Sequence, residues 1–229
     1  AKALGKNRYE MFDTQMHASA LELLKLETDL RKALERRELG VHYQPIVAIA
    51  SGRVVGFEAL VRWNHPERGL LPPANFIRVA EETGLIVAID QWVLRQACHQ
   101  MAIWNDMYQP ELPFWMSVNV SRKHFSDTAL PSLVNDVCSE TGVDGGLLRL
   151  ELTESVIMED VDLAAGMLHQ LKDFGVRLSI DDFGTGYSSL SSLHRFPIDT
   201  LKIDRSFVSQ MHENPENSEI VRTIVNLAK

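Results

Sequence analysis

After Gly40 the sequence alternates between short apolar runs and longer amphipathic stretches, and this alternation restricts the possible folds most strongly. Repeated strand–helix alternation is typical of an α/β fold with a mainly parallel sheet. A short turn at Ser51 and Gly52 separates the first two strands, which predicts an antiparallel hairpin there. The predicted strands are 41–49, 54–63, 114–120, 147–153, 177–182 and 200–204. The predicted helices are 74–83, 87–104, 129–140, 160–174 and 218–229.

The residues before this alternation form two further segments. Residues 1–15 are interpreted as the remnant of an upstream domain, and residues 16–40 as a linker or partner-contacting helix. Leucines recur in the second segment at steps of three and four residues, which predicts one apolar helix face. These leucines are Leu23, Leu26, Leu30 and Leu34. The main domain is expected at 41–229.

Composition excludes several classes of protein. No apolar run approaches the roughly 20 residues of a membrane span, and no signal peptide is visible, so no membrane contact is expected. The two cysteines, Cys98 and Cys138, are far apart and outside any CxxC pattern, which favours reduced thiols in a cytoplasmic protein. The net charge of −8 argues against binding to duplex nucleic acid, whose affinity depends on Lys and Arg at phosphates.

Acidic and amide side chains fall on the predicted strands and at their ends. Glu58 lies in the second strand, Asn119 near the end of the third and Glu151 in the fourth, while Asp181 and Asp182 close the fifth. Because the carboxyl ends of the strands of an α/β barrel face one mouth, we expect these side chains to converge. A single such acid is as often a helix cap or a solvated loop residue, but convergence of all five would not be expected by chance.

Four carboxylates in one cavity would repel each other unless cations compensate them. Oxygen ligands favour Mg or Mn over Zn, and no HExxH-type histidine pair is present. Two such ions suit a displacement at phosphorus, because they clamp the attacking water and the departing oxygen. Lys202 could hold or deprotonate that water, and Arg62 could hold a phosphate oxygen.

Together these residues resemble the EAL domain family. Its signature is read in Glu58-Ala59-Leu60-Val61-Arg62-Trp63. Further matching motifs occur in the family's order, and the resemblance covers essentially everything after Gly40. They are Tyr43-Gln44-Pro45-Ile46, Asn119-Val120-Ser121, Glu151-Leu152-Thr153-Glu154, the loop at 181–190 and Leu201-Lys202-Ile203-Asp204.

The resemblance implies a (β/α)8 TIM-like barrel whose first strand runs antiparallel. It implies a cyclic-guanylate-specific phosphodiesterase of bacterial second-messenger signalling. Such an enzyme hydrolyses cyclic di-GMP to linear pGpG through a metal-activated water and two Mg or Mn ions. Carried over by motif, one metal would be bound by Glu58, Asn119, Glu151 and Asp181. Asp181 would bridge to the second metal, with Asp182 beside it.

The resemblance also implies roles for the remaining motif residues. Lys202 would contact the nucleophilic water and act in catalysis with Glu58 and Asp182. Gln44, Leu60 and Arg62 would contact the substrate. Glu154 would steady the glycine-containing loop at 181–190. The alternative interpretation of this segment is an ordinary tight turn with an N-cap supplied by Ser188.

The chain departs from the family at its two ends. Only six strands are counted, so the last two strands of the barrel are expected to be absent, and with them an acid that completes the second metal site. Residues 3–9 are similar to the closing strand of a GGDEF domain, which suggests a tandem GGDEF–EAL protein. Two alternatives to an active enzyme stay open, namely a non-catalytic cyclic di-GMP sensor and an inactive truncated fragment. The family also tends to form homodimers through the region near 196–199.

Overall fold

The structure, a computed structural model, describes residues 14–184 and 195–228, with side chains from Leu21 onward. The predicted upstream remnant therefore lies outside the described residues, except for Thr14 and Gln15, which begin the first helix. The part of the predicted glycine loop from residue 185 onward, including Ser188, lies outside them as well.

One mixed sheet runs through the described residues. Its order is β1-β2-β4-β5-β6-β7. The short strand β3 pairs with the C-terminal end of β2, on the side opposite β1. The predicted hairpin is confirmed, because β1 and β2 are antiparallel with Gln44 opposite Glu58. The pairs from β2–β4 to β6–β7 are parallel, as the alternation predicts. The strands are β1 (Leu39–Val47), β2 (Val54–His65), β3 (Gly69–Leu71), β4 (Trp115–Asn119), β5 (Leu148–Thr153), β6 (Arg177–Phe183) and β7 (Thr200–Ile203).

Helices connect the parallel strands. The predicted helix at 74–83 is divided into a 3₁₀ turn, Pro73–Asn75, and an α-helix, because the backbone at Phe76 departs from helical geometry while its ring is buried against Trp63. The helices of the described part are α1 (Thr14–Arg36), α2 (Ile77–Thr83), α3 (Leu85–Tyr108), α4 (Arg122–Phe125), α5 (Leu130–Thr141), α6 (Glu154–Glu159), α7 (Val161–Asp173), α8 (Arg205–Ser209) and α9 (Pro215–Leu227). Among the helices of the described residues, none combines the length and the apolar character that a membrane span requires.

The hydrophobic core lies between the outer face of the sheet and the helices. Alternate side chains of a strand point to opposite faces, so Leu148, Leu150 and Leu152 of β5 pack outward and are fully buried. Helices α3, α5 and α7 cover this face with their own apolar sides. The opposite, inner face of the same strands is therefore free to carry the polar side chains of the site.

Helix α1 is packed against the same core. Of the predicted apolar stripe, Leu26 and Leu30 are buried in this core and Leu34 packs against it, whereas Leu23 is exposed, so the prediction is wrong for Leu23. Lys25 pairs with Glu67, which follows β2, at 2.6 Å. The helix is thus tied to the strand that carries the Glu-Ala-Leu motif.

Candidate active site

The register of the sheet brings four of the motif residues to its inner face. Glu58 pairs with Ser117, and Asn119, two residues further along β4, pairs with Glu151. Asp181 of β6 pairs with Thr153 of the neighbouring strand, again two residues beyond Glu151. Side chains two residues apart share a face, so these residues lie on one face of the sheet. From β2 to β6, each is displaced by two residues or by none relative to its neighbour on the adjacent strand.

Three carboxylates form a compact cluster. Oxygens of Glu58, Glu151 and Asp181 all lie within 4.8 Å of one another. The ammonium of Lys202 lies among them, at 2.5 Å from Glu151 Oε2, 3.2 Å from Asp181 Oδ2 and 3.3 Å from Glu58 Oε2. The structure therefore unites three predicted metal ligands with the predicted catalytic lysine.

Burial and charge act in opposite directions within this cluster. Burial raises the pKa of Glu151, the nearby Lys202 lowers it, and the charge of Glu58 raises it again, with a net increase. Burial by itself would lower the pKa of Lys202, but Glu151, Glu58 and Asp181 outweigh that effect and raise it. Lys202 is consequently a firmly protonated cation that balances part of the negative charge.

The other two predicted ligands lie beside the cluster. Asn119 donates from Nδ2 to Glu58 Oε1 at 3.0 Å. Asp182 has a left-handed backbone, with φ of 53°, and its N–H donates to Asp181 Oδ1 at 3.0 Å. Burial, the charge of Asp181 and a hydrogen bond with Asp204 raise the pKa of Asp182. A non-glycine residue in this conformation is uncommon and often marks a functional site.

The predicted substrate contacts line the approach to the carboxylates. Gln44 is exposed on β1 directly opposite Glu58. Leu60 and Arg62 follow Glu58 at two-residue steps, and Arg62 donates to the carbonyl of Val61 at 2.8 Å. Leu60 also lines a largely apolar cavity of about 330 Å³ together with Asn119. Gln44, Leu60 and Arg62 therefore lie on the same face of the sheet as Glu58.

Glu154 is separate from the cluster and buried. It begins α6, and its Oε2 accepts a hydrogen bond from the backbone N–H of Gly184 at 3.0 Å. Gly184 has φ of 100° and stands at the start of the predicted loop. The structure thus links Glu154 to the backbone that follows Asp181 and Asp182.

The donor set fits divalent cations. Ligand oxygens lie roughly 2.0–2.6 Å from Mg²⁺ or Ca²⁺, so oxygens within about 5 Å of one another can share one ion. Carboxylate and amide oxygens without His or Cys favour Mg or Mn. The position of Lys202 shows that a cation is already accommodated between the three carboxylates.

Sequence reasoning missed two supporting contacts. Ser117 hydrogen-bonds to Glu151, and Asp204 hydrogen-bonds to Asp182. The position of Ser117 two residues before Asn119 was the available signal, since it places both on one face. For Asp204 the signal was its place just after the strand of Lys202, where it also caps α8 by accepting from the N–H of Ser206.

Comparison with known proteins gives one consistent answer. The sequence profile of the EAL domain matches residues 27–229. The bifunctional diguanylate cyclase/cyclic di-GMP phosphodiesterase MucR of Pseudomonas aeruginosa is 45% identical over 230 residues, which is 100% of this chain and 33% of MucR. The cyclic di-GMP phosphodiesterase PdeR of Escherichia coli is 41% identical over 229 residues, which is 100% of this chain and 34% of PdeR. The chain spans about a third of the length of these two relatives.

Solved structures agree in fold. The structure of the P. aeruginosa MucR phosphodiesterase in complex with c-di-GMP superposes with a TM-score of 0.85 at 45% identity, covering 89% of this chain and 81% of that one. The FimX EAL domain of Xanthomonas citri superposes with a TM-score of 0.78 at 24% identity, covering 91% and 80%. At that identity the second likeness concerns the fold alone.

Proposed function

The chain belongs to the EAL domain family, and from this premise we propose that it is a divalent-metal-dependent phosphodiesterase that hydrolyses cyclic di-GMP to linear pGpG. The observation that carries the proposal is the cluster of Glu58, Glu151 and Asp181 around Lys202. Support comes from the names of the relatives MucR and PdeR and from the c-di-GMP complex of MucR.

We assign the metal ligands by combining the motifs with this geometry. Glu58, Asn119, Glu151 and Asp181 would hold one Mg or Mn ion, and Asp181 with Asp182 would hold part of a second. The amide of Asn119 would then turn its oxygen toward the ion, which only exchanges the two ends of one planar group. Bound cations would supply Lewis-acid activation of a water and neutralise charge that develops on the phosphate.

Lys202 acts as a donor in this proposal. Its neighbouring carboxylates raise its pKa in this structure, so its ammonium can donate to a water or a phosphate oxygen. The contact with Glu151 fixes the position of its ammonium. Of the two roles that the sequence leaves open for Lys202, we propose holding the water.

Arg62, Leu60 and Gln44 bind the substrate. A guanidinium offers paired donors to phosphate oxygens, which suits Arg62 to the phosphodiester. Leu60 offers an apolar contact on the same face, and the exposed amide of Gln44 can bond to the dinucleotide above Glu58.

The proposal is tested by incubating the chain with cyclic di-GMP and Mg²⁺ or Mn²⁺ and following pGpG by chromatography. Glu58→Gln removes a ligand charge inside the cluster, whereas Glu67→Gln removes a charge from an exposed glutamate beyond the end of the same strand and is the matched control. Turnover by the wild type and the control, abolished in Glu58→Gln, supports the hydrolase. Nucleotide binding without turnover by folded wild type would instead assign a sensor module.

Two expectations from the resemblance remain proposals. The sheet is open between β1 and β7 in the described residues, so its closure into a (β/α)8 barrel is proposed from the family. Self-association through the region near 196–199 is likewise proposed, and sedimentation of the purified chain would test it.

A further inference from the structure

A second layer of side chains lies directly beneath the candidate site on the inner face of the sheet. Each member stands two residues before a residue of the site, so the alternation of the strands places it on the same face. Four of the five are small, and Arg149 is the one long, charged member. The layer consists of Gly56, Ser117, Arg149, Ser179 and Thr200.

Arg149 is held in this layer by stacking. Its Cζ atom lies 3.5 Å from the centroid of the Trp115 ring, and Nη1 lies 3.5 Å from Thr200 Oγ1. Trp115 can take this position because its pairing partner is Gly56, where an added Cβ would stand 2.5 Å from Trp115 Cδ2. The small neighbours leave the space into which the guanidinium extends.

Arg149 is a cation without an ion pair among the residues described. Its Nε is buried and has no hydrogen-bond partner there. The nearby Asp199 is already bound by Lys172 and Arg177, each at 2.8 Å. Burial lowers the pKa of Arg149 and so does Arg177, while Asp199 and Glu151 act in the opposite direction. Because a guanidinium stays protonated in proteins, this is a permanent positive charge.

We propose that Arg149 is a positioning residue whose fixed charge beneath Glu151 stabilises the carboxylate cluster when no metal ion is bound and limits its affinity for divalent cations. The inference rests on the metal site of the proposed function. It concerns the layer below the ligands and not the ligands themselves.

The physical reason is the charge balance of the site. Three carboxylates and Lys202 leave a net negative charge on the inner face. A permanent positive charge two residues away reduces the repulsion between the carboxylates when no metal is bound. The same charge repels an incoming dication, so it weakens binding of that dication. Both effects depend on the charge at position 149 and not on its volume.

A simple filling role for Arg149 makes a different prediction. If the side chain only closes the space above Trp115, any substitution should lower stability equally with and without metal. Cation affinity would then stay unchanged or fall. Charge and packing can therefore be separated by variants that keep one and remove the other.

The test measures Mn²⁺ binding to the purified chain by calorimetry and by the electron paramagnetic resonance signal of free Mn²⁺. Arg149→Met keeps an unbranched apolar stem and removes the charge, Arg149→Gln removes the charge and keeps a donor, and Arg149→Lys keeps the charge. We expect both neutral variants to bind Mn²⁺ about five-fold more tightly or more, the size expected for one charge acting on a dication across two residues of strand. Arg149→Lys should bind as the wild type does.

Thermal unfolding in EDTA and in Mn²⁺ gives an independent readout. The stabilisation by Mn²⁺ should be larger in Arg149→Met than in the wild type, because an ion that binds the folded state more tightly stabilises that state more. Arg53→Met, which removes an exposed arginine paired with Glu111, should leave this increment unchanged. Neutral variants that lose the same stability in EDTA and in Mn²⁺, or that are unfolded in both, overturn the proposal.

The outcomes separate this inference from the proposed function. Absence of Mn²⁺ binding in the folded wild type would overturn both. Binding in the wild type with equal or weaker affinity in both neutral variants would overturn the role of Arg149 alone.

Discussion

Lys202 on β7 and Glu58 on β2 lie four positions apart in the sheet, yet their side chains meet at 3.3 Å. Neighbouring strands are about 4.8 Å apart, so a flat sheet would separate these two strands by roughly 19 Å. The contact therefore requires a strongly curved sheet whose inner face is concave. This curvature turns carboxylates from separate strands into one cluster.

Replacing Lys202 should lower turnover much more than it lowers substrate binding. In Lys202→Met we expect turnover of cyclic di-GMP to fall by at least ~100-fold, because the donor that holds the attacking water or the phosphate is lost. The affinity for cyclic di-GMP, measured in EDTA so that the metal-dependent reaction does not run, should change much less. The measurement is steady-state hydrolysis followed by chromatography of pGpG.

Lys32→Met is the matched control for this change, since Lys32 is exposed on α1. It should keep wild-type turnover. Equal activity of Lys202→Met and wild type would remove Lys202 from the mechanism.

The contact between Glu154 and Gly184 should matter for activity through the backbone that follows Asp182. Glu154→Ala removes the acceptor for the Gly184 N–H, and turnover should fall by ~10-fold or more, as is usual when a partner that orients ligands is lost. Glu154→Gln keeps an oxygen acceptor and should be clearly less affected. Parallel measurements of kcat and KM for both variants check this, and an equal loss in both would contradict it.

Much of the fold is readable from local pattern. The strand–helix alternation predicts the parallel sheet, and the short turn after β1 predicts the antiparallel hairpin, because periodicity and turn residues are local signals. The short elements β3, α4, α6 and α8 were missed. They hold three to six residues, too few to show a period, and β3 forms through pairing with β2.

The site was readable in its ligands but not in its surroundings. Glu58, Glu151 and Asp181 stand on strands with matching parity, so their convergence follows from the alternation. The stacking of Arg149 on Trp115 has no sequence signal, because it depends on the curvature of the sheet and on the missing side chain of Gly56. The alternation of side chains along a strand shows which residues share a face. It does not give the distances between side chains on different strands.

The buried His65 should anchor the turn that ties α1 to β2. Its Nδ1 accepts from the backbone N–H groups of Glu67 and Arg68, at 3.1 and 3.2 Å, so the proton lies on Nε2, which faces Asp29 Oδ2 at 3.4 Å. His65→Ala leaves both N–H groups without this acceptor and should lower the free energy of unfolding by about 2–4 kcal/mol. Urea unfolding measures this.

Two further variants identify which side of His65 matters. His65→Asn offers an oxygen to the same turn and should recover part of the loss. Asp29→Asn should cost less than about 1 kcal/mol, because Asp29 is partly exposed and an amide oxygen can still accept. A larger loss in Asp29→Asn than in His65→Ala would show that the helix contact, and not the turn, is the anchor.

Two glycines should respond in opposite directions to alanine. Gly184 has φ of 100°, and an added Cβ would stand 3.2 Å from Phe207 Cε2 and 3.3 Å from Ile224 Cδ1. Gly184→Ala should therefore lower the free energy of unfolding by about 1–2 kcal/mol. Gly166 lies inside α7 with open space around the added Cβ, so Gly166→Ala should raise it by about 0.5–1 kcal/mol. Urea unfolding of both variants tests the pair.

The same two variants should also differ in activity. Gly184 lies two residues after Asp182, so Gly184→Ala should lose turnover while Gly166→Ala keeps it. A fully active Gly184→Ala would show that this backbone position does not shape the site.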